Sequence, residues 1–160
     1  IGKVFYDKPV EPTREALQAI HDADIILYGI GSLYTSIIPN LIVDGIVEEL
    51  KNNKAPKIYF CNAMSQPGET DHFSLEDHVR ALQKHSFEGA VDIVVTHSNK
   101  ASSEILEKYK KMGSEPIKVV EKEHTFDILY RDILSFEDNL IRHDSNKIRD
   151  IVKELIEQIG

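Results

Sequence analysis

The sequence predicts an α/β fold of the Rossmann-like, doubly wound kind, in which helices cover both faces of a mostly parallel sheet. Two observations lead to this prediction. Short apolar runs typical of buried strands alternate along the chain with stretches of helical periodicity, as in successive βαβ units. The runs DIILYG (24–29) and KIYFC (57–61) are almost continuously apolar, as expected for strands that are covered on both faces.

The predicted strands follow from these apolar runs and their β-branched and aromatic content. In chain order they are KVFY (3–6), DIILYG (24–29), KIYFC (57–61), VDIVVTH (91–97), PIKVV (116–120) and DILYRDIL (127–134).

Helices are predicted between the strands from apolar spacing and capping residues. In chain order they are 13–23, a region that Pro39 interrupts and whose later piece is 44–53, then 75–85, 102–113 and 144–158. Thr13 and Asp144 are suitable N-caps, and Ser74 with Asp77 three residues on resembles a capping box. Gly113 can end its helix at the C′ position.

Composition restricts the class of protein. With 160 residues, 41% of them hydrophobic and 29% charged, the chain can form a domain with an apolar core. The net charge of −8 argues against a general nucleic-acid or anionic-membrane surface. No apolar run is long enough to span a bilayer, no secretory signal opens the chain, and the single Cys61 fits a reducing cytosol. Because the chain begins at Ile1 close to a strand-like pattern, we expect it to be a segment of a longer protein.

The first candidate site segment is the 29–36 loop, which follows the second predicted strand. Ligands of such sheets bind outside the carboxyl ends of the strands. Gly29 and Gly31 permit close approach to a ligand, and hydroxyl groups beside a helix start can bind a phosphate or carboxylate. A structural turn is an equal alternative, because the third glycine of a dinucleotide fingerprint and the P-loop lysine are missing. Tyr34 has the alternative of packing between helix and sheet.

The second candidate segment is the 62–74 loop, which follows KIYFC. It is rich in hydrogen-bonding side chains, and a polar loop at this edge of a sheet favours function over a plain connection. Glu69, Asp71 and His72 are potential metal ligands. They lack a recognised ligand spacing, so a solvated loop is the preferred interpretation of these three.

Two further residues are candidates on chemical grounds. Arg142 precedes a helix N-cap, where it suits bidentate phosphate or carboxylate binding, although an ion pair with a surface acid is the alternative. Tyr109 could stack on a base or sugar at the rim of a site, or could lie on a solvated basic face. No arrangement typical of a hydrolase or a zinc site is present in the sequence.

Three segments, in order, together resemble one family: GIGSLYTSIIPNLIVDGI, KIYFCNAMSQPGETDHFSLEDHV and IRHDSNK. It is the gluconeogenesis factor family, which is related to the 2-phospho-L-lactate transferases of cofactor F420 biosynthesis. The resemblance implies a Rossmann-like fold in a cytoplasmic bacterial protein. It also implies that residues 1–160 are the C-terminal portion of one phospholactate transferase-like domain, whose N-terminal glycine-rich half is absent here.

The resemblance assigns a ligand-binding role to residues of both loops and to two later positions. These are Gly29, Gly31, Ser32, Leu33, Tyr34, Thr35, Ser36, Asn62, Met64, Gln66, Gly68, Glu69, Thr70, Asp71, Tyr109 and Arg142. The sequence departs from the family pattern at two places. Ile30 replaces the usual proline, which removes a fixed φ, and Ser65 replaces a threonine but keeps the hydroxyl.

Two functions are compatible with this resemblance. The first is a nucleotide-sugar-binding regulator of cell shape, envelope synthesis and growth on gluconeogenic carbon, with UDP-N-acetylglucosamine as the ligand type and no turnover of its own. The alternative is a transferase of the 2-phospho-L-lactate type that acts on a nucleotide-linked donor with Mg²⁺. Neither function calls for nucleic acid or membrane insertion, and a homo-oligomer is compatible with both.

Overall fold

Four parallel strands form the central sheet of the protein, in the order β1-β2-β3-β4. The structure is a computed structural model that describes residues 1–159. The strands are β1 (Ile26–Tyr28), β2 (Lys57–Phe60), β3 (Ile93–His97) and β4 (Asp127–Arg131). Their register places Tyr28 beside Tyr59 and Tyr59 beside Val94. The predicted parallel α/β fold is confirmed.

Helices occupy both faces of the sheet. They are α1 (Arg14–His21), α2 (Ile38–Leu41), α3 (Asp44–Asn52), α4 (Leu75–His85), α5 (Ser103–Lys111) and α6 (Ser145–Ile159), and a π-helical turn (Leu33–Ile37) leads into α2. A short antiparallel pair, β5 (Leu134–Ser135) with β6 (Arg142–His143), precedes α6. No helix within residues 1–159 has both the length and the apolar character needed to cross a bilayer.

Alternating side chains of the strands supply two apolar cores. Tyr59 and Val94 pack with residues of α2, α3 and α4 on one face. Ile58, Phe60 and Val95 pack with α6 on the other face. The two-residue period of a strand thus explains why β2 is buried along its whole length.

The predicted helix caps are present. The Thr13 hydroxyl accepts a hydrogen bond from the Ala16 amide, and Ser74 forms a complete capping box with Asp77. The Asp144 carboxylate accepts from two amides at the start of α6. Gly113 follows α5 at a φ of 78°, a conformation that glycine adopts without strain. These contacts join neighbouring residues, which is why the sequence alone could predict them.

Two predicted strands were wrong. Residues 3–6 run as irregular backbone, in which the Val4 amide donates to His85 Nε2 rather than to a neighbouring strand. Residues 116–120 form only an isolated bridge between Met64 and Pro116. The backbone of residues 3–6 bonds to the end of a helix, and the backbone of residues 116–120 bonds to the 62–74 loop. These backbone groups are therefore not paired with a neighbouring strand.

Three features also differ from prediction. The side chain of Leu27 is 37% exposed, so β1 is not covered on both faces within residues 1–159. Pro39 lies in the first turn of α2, where a missing N–H costs little, and the break before α3 comes at residues 42–43. The predicted strand 127–134 is divided into β4 and the start of β5.

Residues 114–120, here called the strap, brace the 62–74 loop from behind. The Ser65 amide donates to Glu115 O at 2.7 Å, and the Ile117 amide donates to Ala63 O at 3.0 Å. The Ser114 hydroxyl donates to Ser65 O at 2.6 Å. The strap therefore holds the start of the loop, at Ala63 and Ser65, although neither segment is a strand.

A buried carboxylate on α4 anchors the far end of the strap. Glu76 is 3% exposed, and its Oε1 accepts from the amides of Val120 and Glu121 and from His124 Nε2, at 3.0–3.1 Å. Burial alone would raise the pKa of this carboxyl. The bonds from His124 and the backbone prevail and lower the pKa from its ordinary 4.5 to about 2.

We predict that Glu76→Gln lowers the free energy of unfolding by about 3 kcal/mol at pH 7. The folded-state pKa is depressed, so the stabilisation is complete above pH 4.5 and is lost as the pH falls toward 2. Urea unfolding at several pH values, followed by circular dichroism, measures the difference between variant and wild type. The exposed Glu88→Gln is the control, and a Glu76→Gln deficit that does not shrink at low pH would contradict the assignment.

Candidate functional site

The carboxyl ends of β1 and β2 bring the two predicted loops together. Both strands run parallel and are paired directly, so the chain leaves Tyr28 and Phe60 at the same edge of the sheet. The 29–36 and 62–74 loops start from these adjacent ends. The two longest candidate segments of the sequence therefore form one site rather than two.

Asn62 fastens the loops to each other. Its Nδ2 donates to Gly31 O at 3.0 Å, and its Oδ1 accepts from the hydroxyl of the fully buried Tyr59 at 3.0 Å. Both ends of the amide are thus engaged inside the protein. Asn62 therefore positions the 29–36 loop. This role does not depend on which group of the site contacts a ligand.

A second connection joins Gln66 and Ser32. Gln66 Nε2 donates to Ser32 Oγ at 2.8 Å, and the Gln66 amide donates to Thr70 Oγ1, also at 2.8 Å. The Gly68 amide donates to the Asp71 carboxylate at 2.7 Å. Thr70 and Asp71 therefore shape the loop from within.

The 29–36 loop is tightly packed at its glycines. Gly29 has a φ of 103°, and a Cβ there would lie 3.1 Å from Phe60 O. A Cβ on Gly31 would lie 2.9 Å from the Ser36 Cβ, closer than real Cβ atoms approach. These positions require glycine, while Thr35 and Ser36 present exposed side chains beside them.

Leu33 and Tyr34 have buried side chains. The Tyr34 ring packs edge-on against Phe73 and His85, with centroids 6.3 and 5.9 Å away, as its alternative interpretation stated. A ligand contact of these two residues stays a prediction. Met64 is half-buried and packs into the core on the α6 side.

Arg142 lies on β6, at a groove of about 630 Å³ beside the tip of the 29–36 loop. The residues that line it are Ile30, Arg142, His143, Ser145, Ile148 and Arg149. A larger cavity, about 1100 Å³, lies along the N-terminal segment, but none of its lining residues belongs to the strand-end loops.

Arg142 brings a positive charge to this groove. Within residues 1–159, no carboxylate neutralises that charge. Its exposed guanidinium forms no ion pair in that part of the chain, so the alternative of a surface acid partner is not what the structure shows. Arg149, by contrast, pairs with Asp150 at 2.9 Å. Burial, with a smaller contribution from His97, lowers the pKa of His143.

Tyr109 stands behind Arg142 rather than free at the rim. Its hydroxyl accepts a hydrogen bond from the Ile141 amide at 2.8 Å, one residue before Arg142. Tyr109 therefore helps to hold the segment that carries the arginine. Direct contact of Tyr109 with a ligand remains a prediction.

The acidic residues of the 62–74 loop do not converge. Asp71 bonds to the Gly68 amide, whereas the exposed His72 lies 3.6 Å from Glu115 of the strap. Within the described part of the chain, no three His, Cys, Asp or Glu side chains are grouped as metal ligands. Glu69 is different, because its Oε2 is buried and accepts no hydrogen bond from residues 1–159.

The sequence did not identify four neighbours of Arg142, which are Ile30, Ser145, Ile148 and Arg149. The last three follow the spacing i, i+3 and i+4 at the start of α6, which is a single face of a helix. That spacing was a usable signal. No local pattern could show that this face lies beside Ile30.

The model of the 2-phospho-L-lactate transferase CofD family matches residues 1–134. The chain belongs to the CofD family. Within it, the chain is 40% identical to the gluconeogenesis factor of Halalkalibacterium halodurans over 96% of this chain and 49% of that protein. It is 37% identical to the gluconeogenesis factor of Bacillus subtilis over 99% of this chain and 51% of that protein.

A solved structure has the same fold. The crystal structure of a UPF0052-family protein from Bacillus halodurans superposes with a TM-score of 0.84 at 38% identity, over 91% of this chain and 48% of that chain. The chain thus spans about half the length of the relatives it matches. The resemblance stated from the three sequence segments is confirmed.

We predict that Asn62→Ala lowers the free energy of unfolding by about 2 kcal/mol, because it leaves the Tyr59 hydroxyl and Gly31 O without partners. Chemical denaturation of the purified protein measures this change. Asn40→Ala, which removes one exposed bond to Ser36 O, is the matched control and should cost less than about 0.5 kcal/mol. Equal effects of the two substitutions would contradict the role given to Asn62.

Proposed function

We propose that the protein binds a nucleotide sugar of the UDP-N-acetylglucosamine type at the edge formed by the 29–36 loop, the 62–74 loop and β6. Binding is proposed to serve regulation of cell shape, envelope synthesis and growth on gluconeogenic carbon, in the cytoplasm. The gluconeogenesis factor names of the relatives support the part of this proposal that concerns growth on gluconeogenic carbon.

The observation that carries the proposal is the position of Arg142. It has no ion pair within residues 1–159, and it lies in a groove beside the 29–36 loop, which is hydrogen-bonded to the 62–74 loop. A guanidinium without a carboxylate partner suits a phosphate, which it can bind through two parallel hydrogen bonds. Arg14 also forms no ion pair within residues 1–159, but it lies at the start of α1, whereas Arg142 lies in the groove beside the 29–36 loop. A local positive charge in this setting favours a small anionic ligand over nucleic acid.

The hydrogen bonds of the Ser32 hydroxyl in the 29–36 loop support a binding role without catalytic turnover. Ser32 Oγ accepts from Gln66 Nε2 and has no bond to a histidine or a carboxylate within the described residues. A serine nucleophile needs such a base. We therefore propose that the site recognises its ligand and that the regulatory output arises elsewhere in the complete gene product.

A transferase function is the alternative, and the match to the 2-phospho-L-lactate transferase family favours it. Mg²⁺ binds through few carboxylates together with substrate phosphates, and it would offset charge on a transferred group. Glu69 Oε2, a buried carboxylate oxygen that accepts no bond from residues 1–159, is the fitting donor of this chain. Magnesium-dependent release of nucleoside monophosphate from a guanosine-linked phospholactate donor tests this alternative, and no release would exclude that reaction.

We predict that Arg142→Ala weakens binding of UDP-N-acetylglucosamine by about 1.5–3 kcal/mol, the usual value for a hydrogen bond to a charged group. Isothermal titration calorimetry on the complete gene product measures the change. Arg14→Ala is the charge-matched control, since Arg14 is exposed at the start of α1, outside the strand-end loops. Its affinity should equal that of the wild type.

Two results would contradict this proposal. Wild-type affinity in Arg142→Ala would remove Arg142 from the site. No heat of binding by the wild-type protein at millimolar ligand would reject this class of nucleotide sugar.

A further inference from the structure

The outer edge of β4 has no neighbouring strand within residues 1–159. The sheet order places β4 at the opposite end from β1. β4 has five residues, whereas β1 has three, and the side chain of Tyr130 on β4 is 53% exposed. Natural sheets keep their edges short, charged or covered, because an open edge can pair with a strand of another chain. β4 is therefore available for pairing with a further strand.

The hydrogen bonds of β4 show which of its main-chain groups face outward. The Asp127 amide donates to Asp92 O at 2.9 Å, on the side of β3, and the register between β3 and β4 is regular over all of β4. The main-chain groups of successive strand residues point to opposite sides of the strand. The amides and carbonyls of Ile128 and Tyr130 therefore point away from β3, toward the open edge.

The sequence of β4, Asp-Ile-Leu-Tyr-Arg, is complementary to itself in the opposite direction. In an antiparallel pair of two β4 strands centred on Leu129, Ile128 lies opposite the partner's Tyr130. These two residues have outward main-chain groups, so they exchange both N–H···O bonds. Asp127 then lies opposite the partner's Arg131, in a pair without main-chain bonds, where side chains come closest. Opposite charges and an aromatic residue beside a β-branched one both stabilise such cross-strand pairs.

The two charged residues of β4 are placed for this contact. Asp127 is exposed and forms no ion pair within residues 1–159. The Arg131 guanidinium reaches the outer edge, where Nη1 donates to Tyr130 O at 3.2 Å, while Nη2 donates to Glu154 at 2.9 Å. In the pair, the amide of the partner's Ile128 replaces Nη1 at Tyr130 O. Nη1 is then released to bind the carboxylate of the partner's Asp127.

We propose that two copies of the complete gene product associate through their β4 strands, which pair antiparallel about a two-fold axis at Leu129. The charge pattern favours a second copy as the occupant, because the two-fold operation places the acid of each strand on the base of the other, as an isologous interface requires. The sheet of each copy then continues into the other. Since the strands of the two copies run in opposite directions, their strand-end loops lie at opposite edges of the joined sheet.

The test reverses the charge at each end of β4. Sedimentation equilibrium compares the wild-type complete gene product with Asp127→Arg and with Arg131→Asp, at about 1–200 μM protein, since a single strand pair is a small interface. Each change places like charges opposite each other in both symmetric pairs. We expect the wild type to dimerise, and each variant to raise the dimer dissociation constant at least about 10-fold.

Mixing the two variants provides the decisive comparison. In a dimer that contains one chain of each variant, every facing pair again has opposite charges. An equimolar mixture should therefore recover dimers to within about threefold of the wild-type affinity, although neither variant dimerises well alone. Circular dichroism of each variant verifies its fold.

Two further variants separate strand pairing from a general charge effect. Glu88→Arg makes the same charge change between α4 and β3, and should leave association unchanged. Tyr130→Pro removes an outward N–H without changing the charge. Proline is tolerated on an edge strand where the N–H faces away from the sheet, so this variant should fold and remain monomeric.

Three results would overturn the proposal. A wild-type protein that stays monomeric at about 200 μM would show that the β4 edge does not bind a second copy. A dimer that neither charge reversal weakens would place the interface on another surface. Loss of dimers in both variants without recovery in the mixture would show that Asp127 and Arg131 do not face each other across the interface.

Discussion

The parallel direction of the strands is the constraint on which the rest of the structure depends. It makes β1 and β2 end at one edge, so that two loops far apart in sequence start side by side. The Asn62 amide and the Gln66–Ser32 bond then convert this proximity into a fixed geometry. The strap supports the same loop from behind and is itself held by the buried carboxylate of Glu76. Each of these contacts is possible only because the sheet has already aligned the strand ends.

The electrostatics of the site follow from which charges are paired. The protein is acidic overall, and carboxylates neutralise several of its arginines, as Asp150 does for Arg149 and Glu154 for Arg131. Arg142 is not paired within residues 1–159. In this part of the chain an unpaired cation therefore lies beside two strand-end loops that are hydrogen-bonded to each other.

Features that depend on neighbours in sequence were predictable, and features that depend on neighbours in space were not. Thr13 and Ser74 were identified as caps because a cap bonds to residues two or three positions away. The segment 116–120 has the composition of a strand, but its backbone bonds to the 62–74 loop and to Glu76, which no local pattern reveals. Tyr34 and Arg142 each had two interpretations of similar weight. Tyr34 packs against Phe73 and His85, as one of its interpretations stated. Arg142 forms no ion pair within residues 1–159, and its binding role stays a prediction.

Hydrogen–deuterium exchange of the complete gene product, with and without UDP-N-acetylglucosamine, tests the central claim most directly. The account predicts that the ligand slows exchange in three separate segments, the 29–36 loop, the 62–74 loop and residues 141–146, and leaves residues 3–10 unchanged. Slowed exchange at residues 3–10 and α3, where the larger cavity lies, with no change in the strand-end loops, would contradict it.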